Sequence, residues 1–437
     1  MGSQEGKGRD SYLMAKKLSS VLGVDIGSQS IKICEIRSQG KEPVVTALGI
    51  IPTPEGAVDH TGVYNSDAVG SALKQVLSQS GASVSQVVVS IAGQASVLVR
   101  TLEVPKMNAA ELKEHMQWEI NRNIPFAEST IVSDFKPLGG DDPNSPNMDV
   151  VMAIAPQSAI DTIMACIKKA GRSTSAIDVE PLSIARSIRR SYDDLLSDKT
   201  VCVVDIGHKT TCINIYHGDR LLMPRQVPVG GELFTKALAD ALSISVDDAE
   251  VLKLQQVQIP DWAGVTAAAD AFADPGVTAG FAAYNPFADD PLPFTPAPAA
   301  PVPDVSNPFD PDATFAVDPT PSVGGVQTPV PADDHPTDQY YNAIAPILEE
   351  FVSEVRRSID YYRSRGGEID AVELCGGGAK LGGLGSFLSK SLGIECDAYD
   401  PLRRLNVNAR KVAPAFVEEH KQAFAVAVGN GLHIFFD

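Results

Sequence analysis

The pattern of apolar and polar residues repeats in two segments, residues 21–36 and 201–216, which are 180 positions apart. In each segment an apolar run ends in Asp-Ile-Gly, turns through side chains with hydroxyl groups, and continues into a second run in which apolar residues alternate. Two such runs joined by a short turn predict a β-hairpin. Because both copies share their spacing, we predict two related halves of one fold.

Further strands and helices are predicted after the first hairpin. The pattern predicts strands over residues 44–51 and 87–92, on either side of a helix over residues 67–80. The pattern over residues 97–175 then predicts a β-α-β-β-α run. Its first helix is predicted to begin after an N-cap at Asn108. Strands and helices mixed in this way indicate an α/β protein.

The residues after the second hairpin end in a glycine-rich bend. A strand is predicted over residues 221–229, a long helix over 339–365 and a strand over 369–374, which runs directly into Gly376–Gly378. Glycines after a strand allow the backbone to lie flat against a base or a ribose. The spacing fits neither the dinucleotide-binding fingerprint nor the Walker loop. The bend is therefore a candidate ligand-binding edge of another kind.

The turns of the two hairpins carry the residue types that bind phosphate. Glycine lets backbone amides approach an anion, hydroxyl groups donate hydrogen bonds, and lysine adds a positive charge. These residues are Gly27, Ser28, Ser30 and Lys32 in the first copy and Gly207, Thr210 and Thr211 in the second. Asp25 and Asp205 precede the turns, where carboxylates commonly hold Mg²⁺ through its waters. The alternative, two unrelated hairpins with common Asp-Gly turns, is less favoured because the copies match.

The composition indicates a soluble cytoplasmic protein. Hydrophobic residues make up 44% of the chain, and no apolar run approaches the length of a membrane span. The first residues do not form a signal peptide, and the six cysteines lack CxxC or metal-binding spacing, which indicates reduced thiols. A net charge of −19 makes nucleic acid and anionic lipid poor general partners.

Residues 260–338 differ from the rest of the chain. They contain 16 of its 31 prolines and 12 aspartates, but no Lys or Arg. Because such a segment cannot bury enough apolar surface to offset its ordering entropy, we predict a disordered acidic loop. The polar lead over residues 1–19 is likewise predicted to be flexible.

These features resemble the actin-like ATPase superfamily, in which two hairpins hold the phosphates and a late glycine loop holds adenosine. Within the superfamily, the chain is similar to the PilM family of type IV pilus assembly proteins. The matching residues are Val104-Pro105, Met107, Glu111-Leu112, Glu119, Ile124-Pro125-Phe126 and Asp134. The helix with Arg356–Tyr362 and the following Glu373–Gly378 are typical of the same family.

The resemblance implies an α/β, actin-like (ribonuclease H-like) duplicated fold, with two lobes around a nucleotide cleft and an FtsA-type extra subdomain. The first lobe is expected over residues 20–96 and 176–200, and the extra subdomain over residues 97–175. The second lobe is expected over residues 201–259 and 339–437, with the acidic loop between its two parts.

The resemblance also implies ATP and Mg²⁺ as cofactors and a role for each candidate residue. The two phosphate loops are expected at the turn residues named above, with Asp25 and Asp205 near Mg²⁺. Ribose and base contacts are expected from Gly230, Gly231, Glu250 and Lys253, and adenosine contacts from Gly376, Gly377 and Gly378. Glu180 lies where relatives place a residue near the attacking water, so Glu180 and Asp205 are candidate catalytic residues of a weak Mg-dependent ATPase.

The partner implied by the resemblance is a PilN-like bitopic inner-membrane protein. Its cytoplasmic N-terminal segment is expected to bind in a groove near the extra subdomain. The chain would then be a cytoplasmic scaffold that assembles into a ring beneath the pilus or a related secretion machine. It would be peripheral to the inner membrane and contact other platform components there.

Two departures from the family and two alternative functions follow from the sequence. His208 replaces the small residue usual after Asp-Ile-Gly, so its ring is expected to contact or crowd a phosphate, and the acidic loop is long enough to contact another component.

A filament former like FtsA would end in an amphipathic membrane helix, whereas residues 431–437 predict a packed end. A small-molecule kinase would need a substrate pocket and a base beside the γ-phosphate, which no other motif supplies.

Overall fold

A computed structural model describes residues 18–127, 130–139, 144–260 and 336–436. The predictions for the polar lead and the acidic loop therefore fall almost entirely outside the described residues. None of the helices in the described ranges combines the length and hydropathy that a bilayer-spanning segment needs.

The first sheet has six strands, and its centre is the first predicted hairpin. The strands are β1 (Ser20–Ile26), β2 (Ser30–Gln39), β3 (Glu42–Pro52), β4 (Gln86–Ile91), β8 (Ser173–Val179) and β14 (Asn406–Val407). Their order is β14-β3-β2-β1-β4-β8. The first three strands form an antiparallel meander, and β4 and β8 continue parallel to β1.

The second sheet repeats this arrangement around the second hairpin. Its strands are β9 (Thr200–Ile206), β10 (Thr211–His217), β11 (Arg220–Val227), β12 (Ala371–Cys375) and β13 (Cys396–Ala398). The order is β11-β10-β9-β12-β13, again an antiparallel meander followed by two parallel strands. The duplication that the two hairpins predict is confirmed by the topology.

A third, three-stranded sheet lies in the small subdomain. Its strands are β5 (Leu98–Pro105), β6 (Ile131–Pro137) and β7 (Asn147–Pro156), in the antiparallel order β5-β7-β6. The first six helices are α1 (Ser66–Ser80), α2 (Ala109–Arg122), α3 (Gln157–Lys169), α4 (Glu180–Ser191), α5 (Asp193–Leu196) and α6 (Gly231–Leu242). The remaining helices are α7 (Val246–Gln255), α8 (Pro336–Ser364), α9 (Leu384–Leu392), α10 (Pro414–His420), α11 (Ala425–Gly431) and α12 (His433–Phe436).

The helix ends follow from local chemistry in the sequence. The Asn108 side chain accepts hydrogen bonds from the first amides of α2, and the Glu111 carboxylate accepts one from the Asn108 amide. This reciprocal capping box is the one predicted. Helix α1 ends at Gly81, whose φ of 75° lies in the left-handed region that glycine adopts without strain.

Helix α3 and strand β8 belong to the first lobe rather than to the small subdomain. Ile163 and Ile167 of α3 lie in the same hydrophobic core as β1 and α1, and β8 pairs with β4. The range expected for the extra subdomain, residues 97–175, therefore extends too far along the chain. We propose that the subdomain ends at Pro156, where β7 ends.

Helices α4 and α11 lie between the two large sheets and pack on both. Residues of α4 and α11 share a core with β9, and α11 also packs against β2. The contact between the two helices is close because Gly429 presents no side chain to α4. A Cβ atom on Gly429 would lie 1.9 Å from the backbone oxygen of Ser183.

Asn430 adds a buried polar contact at the same place. Its side-chain oxygen accepts hydrogen bonds from Ser90 Oγ (3.0 Å) and Ser183 Oγ (2.6 Å), and its Nδ2 donates to the Val24 carbonyl oxygen (2.8 Å). These bonds tie α11 to β1, β4 and α4 with every polar atom of Asn430 satisfied, which buried polar groups require.

We expect Gly429→Ala to destabilise the protein by about 1–3 kcal/mol, because the methyl group forces α11 away from the Ser183 backbone. Gly385→Ala in α9 is the matched control, since its Cβ would meet no atom closer than 3.5 Å. Chemical denaturation of both variants measures the difference. Equal stability of the two variants would contradict the close approach.

Candidate functional site

A cleft of about 540 Å³ lies where the turns of the two hairpins meet. Most of the residues predicted to bind a nucleotide line it. They are Asp25, Gly27, Ser28, Ser30, Lys32, Glu180, Asp205, Gly207, Thr210, Gly231, Glu250, Lys253, Gly377 and Gly378. Residues that lie far apart in the sequence thus converge on one cavity.

The two hairpin turns are closed in the same way. The Gly27 amide donates to the Ser30 carbonyl oxygen (3.1 Å), and the Gly207 amide donates to the Thr210 carbonyl oxygen (3.0 Å). A Cβ atom on Gly207 would lie 2.7 Å from that oxygen, so only glycine fits the second turn. The two turns therefore have equivalent backbone hydrogen bonds, and each presents hydroxyl side chains to the cleft.

Thr211 does not line the cleft, which corrects the prediction that it binds phosphate. Thr211 pairs with Ile206 across the second hairpin, as Ile31 pairs with Ile26 across the first. It therefore occupies a core position, is fully buried, and donates its hydroxyl hydrogen to the Val229 carbonyl oxygen (2.6 Å). Thr210 is the threonine that this turn presents to the cleft.

Gly230 and Gly376 are buried and do not line the cleft, so their roles as contacts to ribose and adenosine stay predictions. A Cβ atom on Gly230 would lie 2.5 Å from the His208 carbonyl oxygen. Gly376 has a φ of 84°, and its Cβ would lie 2.3 Å from Asp205 Oδ1. Both glycines let neighbouring backbone pack closely against the second hairpin.

The two aspartates have different partners although their strands are equivalent. Asp25 pairs with Lys32 across β1 and β2, and the Lys32 ammonium lies 3.0 Å from Asp25 Oδ2. Asp205 pairs with Cys212 across β9 and β10, so a neutral thiol stands where the first hairpin has a cation. No lysine therefore stands opposite the second carboxylate, since Lys209 of the same hairpin lies near Glu232 instead.

The carboxylates of the cleft have raised pKa values as a result. Burial, together with the charges of Asp205 and Asp25, raises the pKa of Glu180 to about 8. Burial and the Asp25 charge raise the pKa of Asp205 to about 6. Burial alone would lower the pKa of Lys32, but the Asp25 carboxylate outweighs it and raises that pKa. The cleft thus holds more negative than positive side chains and favours an added cation.

This donor set fits Mg²⁺ bound together with phosphate. Among the residues that the structure describes, no group of three or more His, Cys, Asp or Glu side chains could hold a metal ion by itself. Asp25 and Asp205 would supply part of an oxygen shell, and waters and phosphate oxygens would complete it. Mg²⁺ is usually bound in this way, through one or two carboxylates and a substrate phosphate.

The buried Lys253 and the partly exposed Glu250 form an ion pair on the second-lobe side of the cleft. Lys253 Nζ donates to Glu250 Oε2 (2.7 Å) and to the Gly231 carbonyl oxygen (3.1 Å). Burial alone would raise the pKa of Glu250, but the Lys253 ammonium outweighs it and lowers that pKa. The pair fixes α7 against the start of α6 and keeps two charged groups at the cleft surface.

Several cleft residues carry no motif and were missed in the sequence. Asp59 and His60 come from the loop between β3 and α1, and Lys380 and His420 come from the far end of the chain. No spacing in the sequence links these residues to the two hairpins, so only the folded chain shows that they line the cleft. His208 lines the cleft as expected, and burial lowers its pKa, so its neutral ring can contact a phosphate without adding charge.

A second cavity of about 170 Å³ lies in the first lobe beside the cleft, next to the points where the chain enters and leaves the small subdomain. Its lining is rich in hydroxyl groups: Thr61, Tyr64, Ser96, Ser158 and Thr162. Val63, Ala92 and Ile163 line both this cavity and the cleft. These three residues, the shared wall, therefore lie between the two cavities.

We expect Glu180→Gln to stabilise the protein at high pH. Folding raises the pKa of the Glu180 carboxyl group from 4.5 to about 8, so the folded state binds the carboxyl proton more tightly than the unfolded state does. The free energy of unfolding therefore falls as the pH rises from 4.5 to about 8. Glutamine stays neutral, so the variant should melt about 2–5 °C above wild type at pH 9 and at the same temperature at pH 5.

The exposed Glu114→Gln is the control for this measurement and should shift the melting temperature at neither pH. If Glu180→Gln shifted the melting temperature by the same amount at pH 5 and pH 9, the Glu180 carboxyl group would not be protonated in the folded state.

Profiles of two protein families match the chain. The family described as type IV pilus assembly protein PilM matches residues 23–263, more than half of the chain. The cell division protein FtsA family matches residues 202–429. The FtsA of Neisseria meningitidis serogroup B is 25% identical over 256 residues, covering 53% of this chain and 60% of that protein. The FtsA of Bacillus subtilis is 30% identical over 99 residues, covering 23% of this chain and 22% of that protein.

A solved structure is similar over nearly the whole chain. It is a PilM-PilN type IV pilus biogenesis complex, with 23% identity and a TM-score of 0.71, and the match covers 97% of this chain and 100% of that chain. The expected actin-like, duplicated α/β fold is thereby confirmed. Since the profile match covers more than half of the residues, the chain belongs to the family of the type IV pilus assembly protein PilM.

Proposed function

We propose that this chain is an ATP-binding scaffold of a type IV pilus, or related secretion, assembly platform, and that its nucleotide state sets its affinity for a PilN-like partner. The observation that carries the proposal is the convergence of two matched hairpin turns on one cleft. Gly27 and Gly207 close the turns, and Asp25, Asp205 and Lys32 place charge between them.

The arrangement suits a polyphosphate with its Mg²⁺. Each turn offers hydroxyl donors to one side of the phosphate chain, from Ser28 and Ser30 on one side and Thr210 on the other. Lys32 adds a point charge, and Asp25 and Asp205 would hold Mg²⁺, which neutralises phosphate charge when bound. The neutral His208 ring contacts the same region.

The state of Glu180 favours a scaffold over a fast enzyme. A general base must be ionised, but the raised pKa of about 8 keeps Glu180 protonated at neutral pH in the nucleotide-free protein. Its Oε1 atom is buried without a hydrogen-bond partner. Slow turnover keeps the bound nucleotide in place, as a nucleotide-dependent scaffold needs.

The second cavity supports the proposal of a peptide partner. The similar solved structure is a complex of PilM with PilN. In this chain, the second cavity lies next to the small subdomain, and its polar and apolar lining could hold a side chain of a bound peptide. We place the N-terminal segment of the partner there. The scaffold would then assemble into a ring on the cytoplasmic side of the inner membrane, held there by its partner.

The first test is binding of ATP in the presence of Mg²⁺, measured by calorimetry. We expect Lys32→Ala to weaken binding by about 10–100-fold, because a hydrogen bond to a charged phosphate is lost. Lys41→Ala, an exposed lysine of the same lobe, is the matched control and should bind as wild type does.

Three other outcomes would contradict the proposed function. A folded wild-type chain that binds no ATP would remove the nucleotide-binding role. Sedimentation of the chain with ATP would favour a filament former. ATP consumption that rises with an added small molecule would favour a kinase.

The second test is binding of a labelled N-terminal peptide of a PilN-like protein, with Mg-ATP, with Mg-ADP and with neither. We expect Thr162→Trp to abolish binding, because the indole ring fills the second cavity. Lys168→Trp adds the same ring to an exposed position of α3 and should leave binding unchanged. Unchanged binding to Thr162→Trp would place the peptide elsewhere.

A further inference from the structure

A buried carboxyl group lies in the second sheet and does not line the cleft. Glu373 is in the middle of β12, and only 6% of it is exposed. Its Oε2 atom is buried and accepts no hydrogen bond from any residue that the structure describes. Buried polar groups are normally hydrogen-bonded, and a buried charge without a partner is strongly disfavoured. This carboxyl group is therefore buried most easily when it is neutral.

A second carboxyl group lies directly opposite, on a short strand at the edge of the sheet. Strand β13 has three residues and is the last in the order β11-β10-β9-β12-β13. Asp397 of β13 pairs with Glu373 in parallel register, so both side chains project from the same face of the sheet. Glu395, just before β13, adds a third carboxyl group. Repulsion of an ionised Glu373 would therefore act between β12 and β13.

The surroundings of Glu373 keep its proton on up to neutral pH. Burial, together with the charges of Asp397 and Glu395, raises the pKa of the Glu373 carboxyl group to about 7. Lys199, just before β9, acts against this change. From the helix side, the neutral Tyr192 hydroxyl at the end of α4 is the titratable group close enough to be affected by the Glu373 charge.

The residues directly after β13 attach the second lobe to α4. The Tyr399 hydroxyl donates to Ser187 Oγ (2.8 Å), and the Asp400 amide donates to the Tyr192 hydroxyl oxygen (2.7 Å). The Tyr399 ring also stacks on the Tyr192 ring, with centroids 4.8 Å apart. Helix α4 begins at Glu180, which lines the cleft. Any loosening of β13 therefore also loosens the hold of the second lobe on this helix.

We propose that Glu373 is a pH-sensitive switch for the edge strand β13 and for its attachment to α4. The neutral carboxyl group lets β13 stay paired with β12. Ionisation places a second charge beside Asp397 at a buried position, and separation of β13 relieves the repulsion and lets water solvate the carboxylate. The inference concerns a site outside the cleft and does not rest on nucleotide binding.

The contact between β12 and β13 is expected to weaken as the pH rises. With β13 in place, the pKa of Glu373 is about 7, and once β13 separates, water reaches the carboxyl group and the pKa returns toward 4.5. The paired form thus binds the proton more tightly than the open form does. Its stability relative to the open form therefore falls from pH 4.5 to about 7 and changes little above that.

The test is hydrogen exchange of the full chain, followed by mass spectrometry on a peptide covering residues 394–402. The Tyr399 amide donates to the Leu374 carbonyl oxygen (2.9 Å) and reports the contact with β12. The Asp400 amide reports the contact with α4. After division by the intrinsic exchange rates, we expect the protection of this peptide to fall by about 10–30-fold between pH 5.5 and pH 8.

Two variants assign the effect to the facing carboxyl groups. Glu373→Gln keeps the shape of the side chain but stays neutral, so the protection of the peptide should change by less than about threefold over the same pH range. Asp397→Asn removes the opposing charge and leaves the burial of Glu373. Its protection should therefore fall less than that of wild type, with the midpoint of the fall at a lower pH.

Glu368→Gln is the matched control, because Glu368 lies shortly before β12 but its side chain is 85% exposed. This variant should keep the full pH dependence of wild type. Equal protection of the wild-type peptide at pH 5.5 and pH 8 would overturn the inference. A fall in Glu373→Gln as large as that in wild type would also overturn it, and so would an unchanged fall and midpoint in Asp397→Asn.

Discussion

The structure depends on holding like charges together at the ends of two strands. Asp25, Asp205 and Glu180 converge in the cleft, and among the residues that the structure describes only Lys32 forms a direct ion pair with one of them. Repulsion between the carboxylates must be offset elsewhere, and the offset is packing. Helices α4 and α11 lie between the sheets, and a glycine contact and the buried Asn430 side chain fix them there. The apolar layer thus keeps the charged layer assembled.

Duplication supplied the site, and divergence between the copies made it asymmetric. Both hairpins keep their closing glycine and their aspartate at equivalent positions. At the position of Lys32 the second copy has Cys212, and at the position of Ile31 it has Thr211. One half therefore carries a lysine beside its aspartate, and the other leaves its carboxylate poorly compensated. A site of this kind binds a cation and an anion together more readily than either alone.

Local patterns in the sequence were sufficient for the hairpins, the N-cap of α2 and most of the predicted residues that line the cleft. They did not predict the features that depend on packing between residues far apart in the chain. Thr210 and Thr211 are chemically alike, and only the strand register shows which one faces the cleft. The core that α3 shares with β1 likewise depends on contacts across a hundred residues or more. His420 reaches the cleft only in the folded chain, and no motif in the sequence marks it.

The shared wall of Val63, Ala92 and Ile163 has a thermodynamic consequence. A ligand that displaces any of these side chains in one cavity alters the shape of the other, so the two binding free energies cannot be independent. Linkage is reciprocal: if ATP changes the affinity for a peptide by some factor, the peptide changes the affinity for ATP by the same factor. Nucleotide occupancy would then record whether the scaffold has been incorporated into an assembled machine, without any hydrolysis.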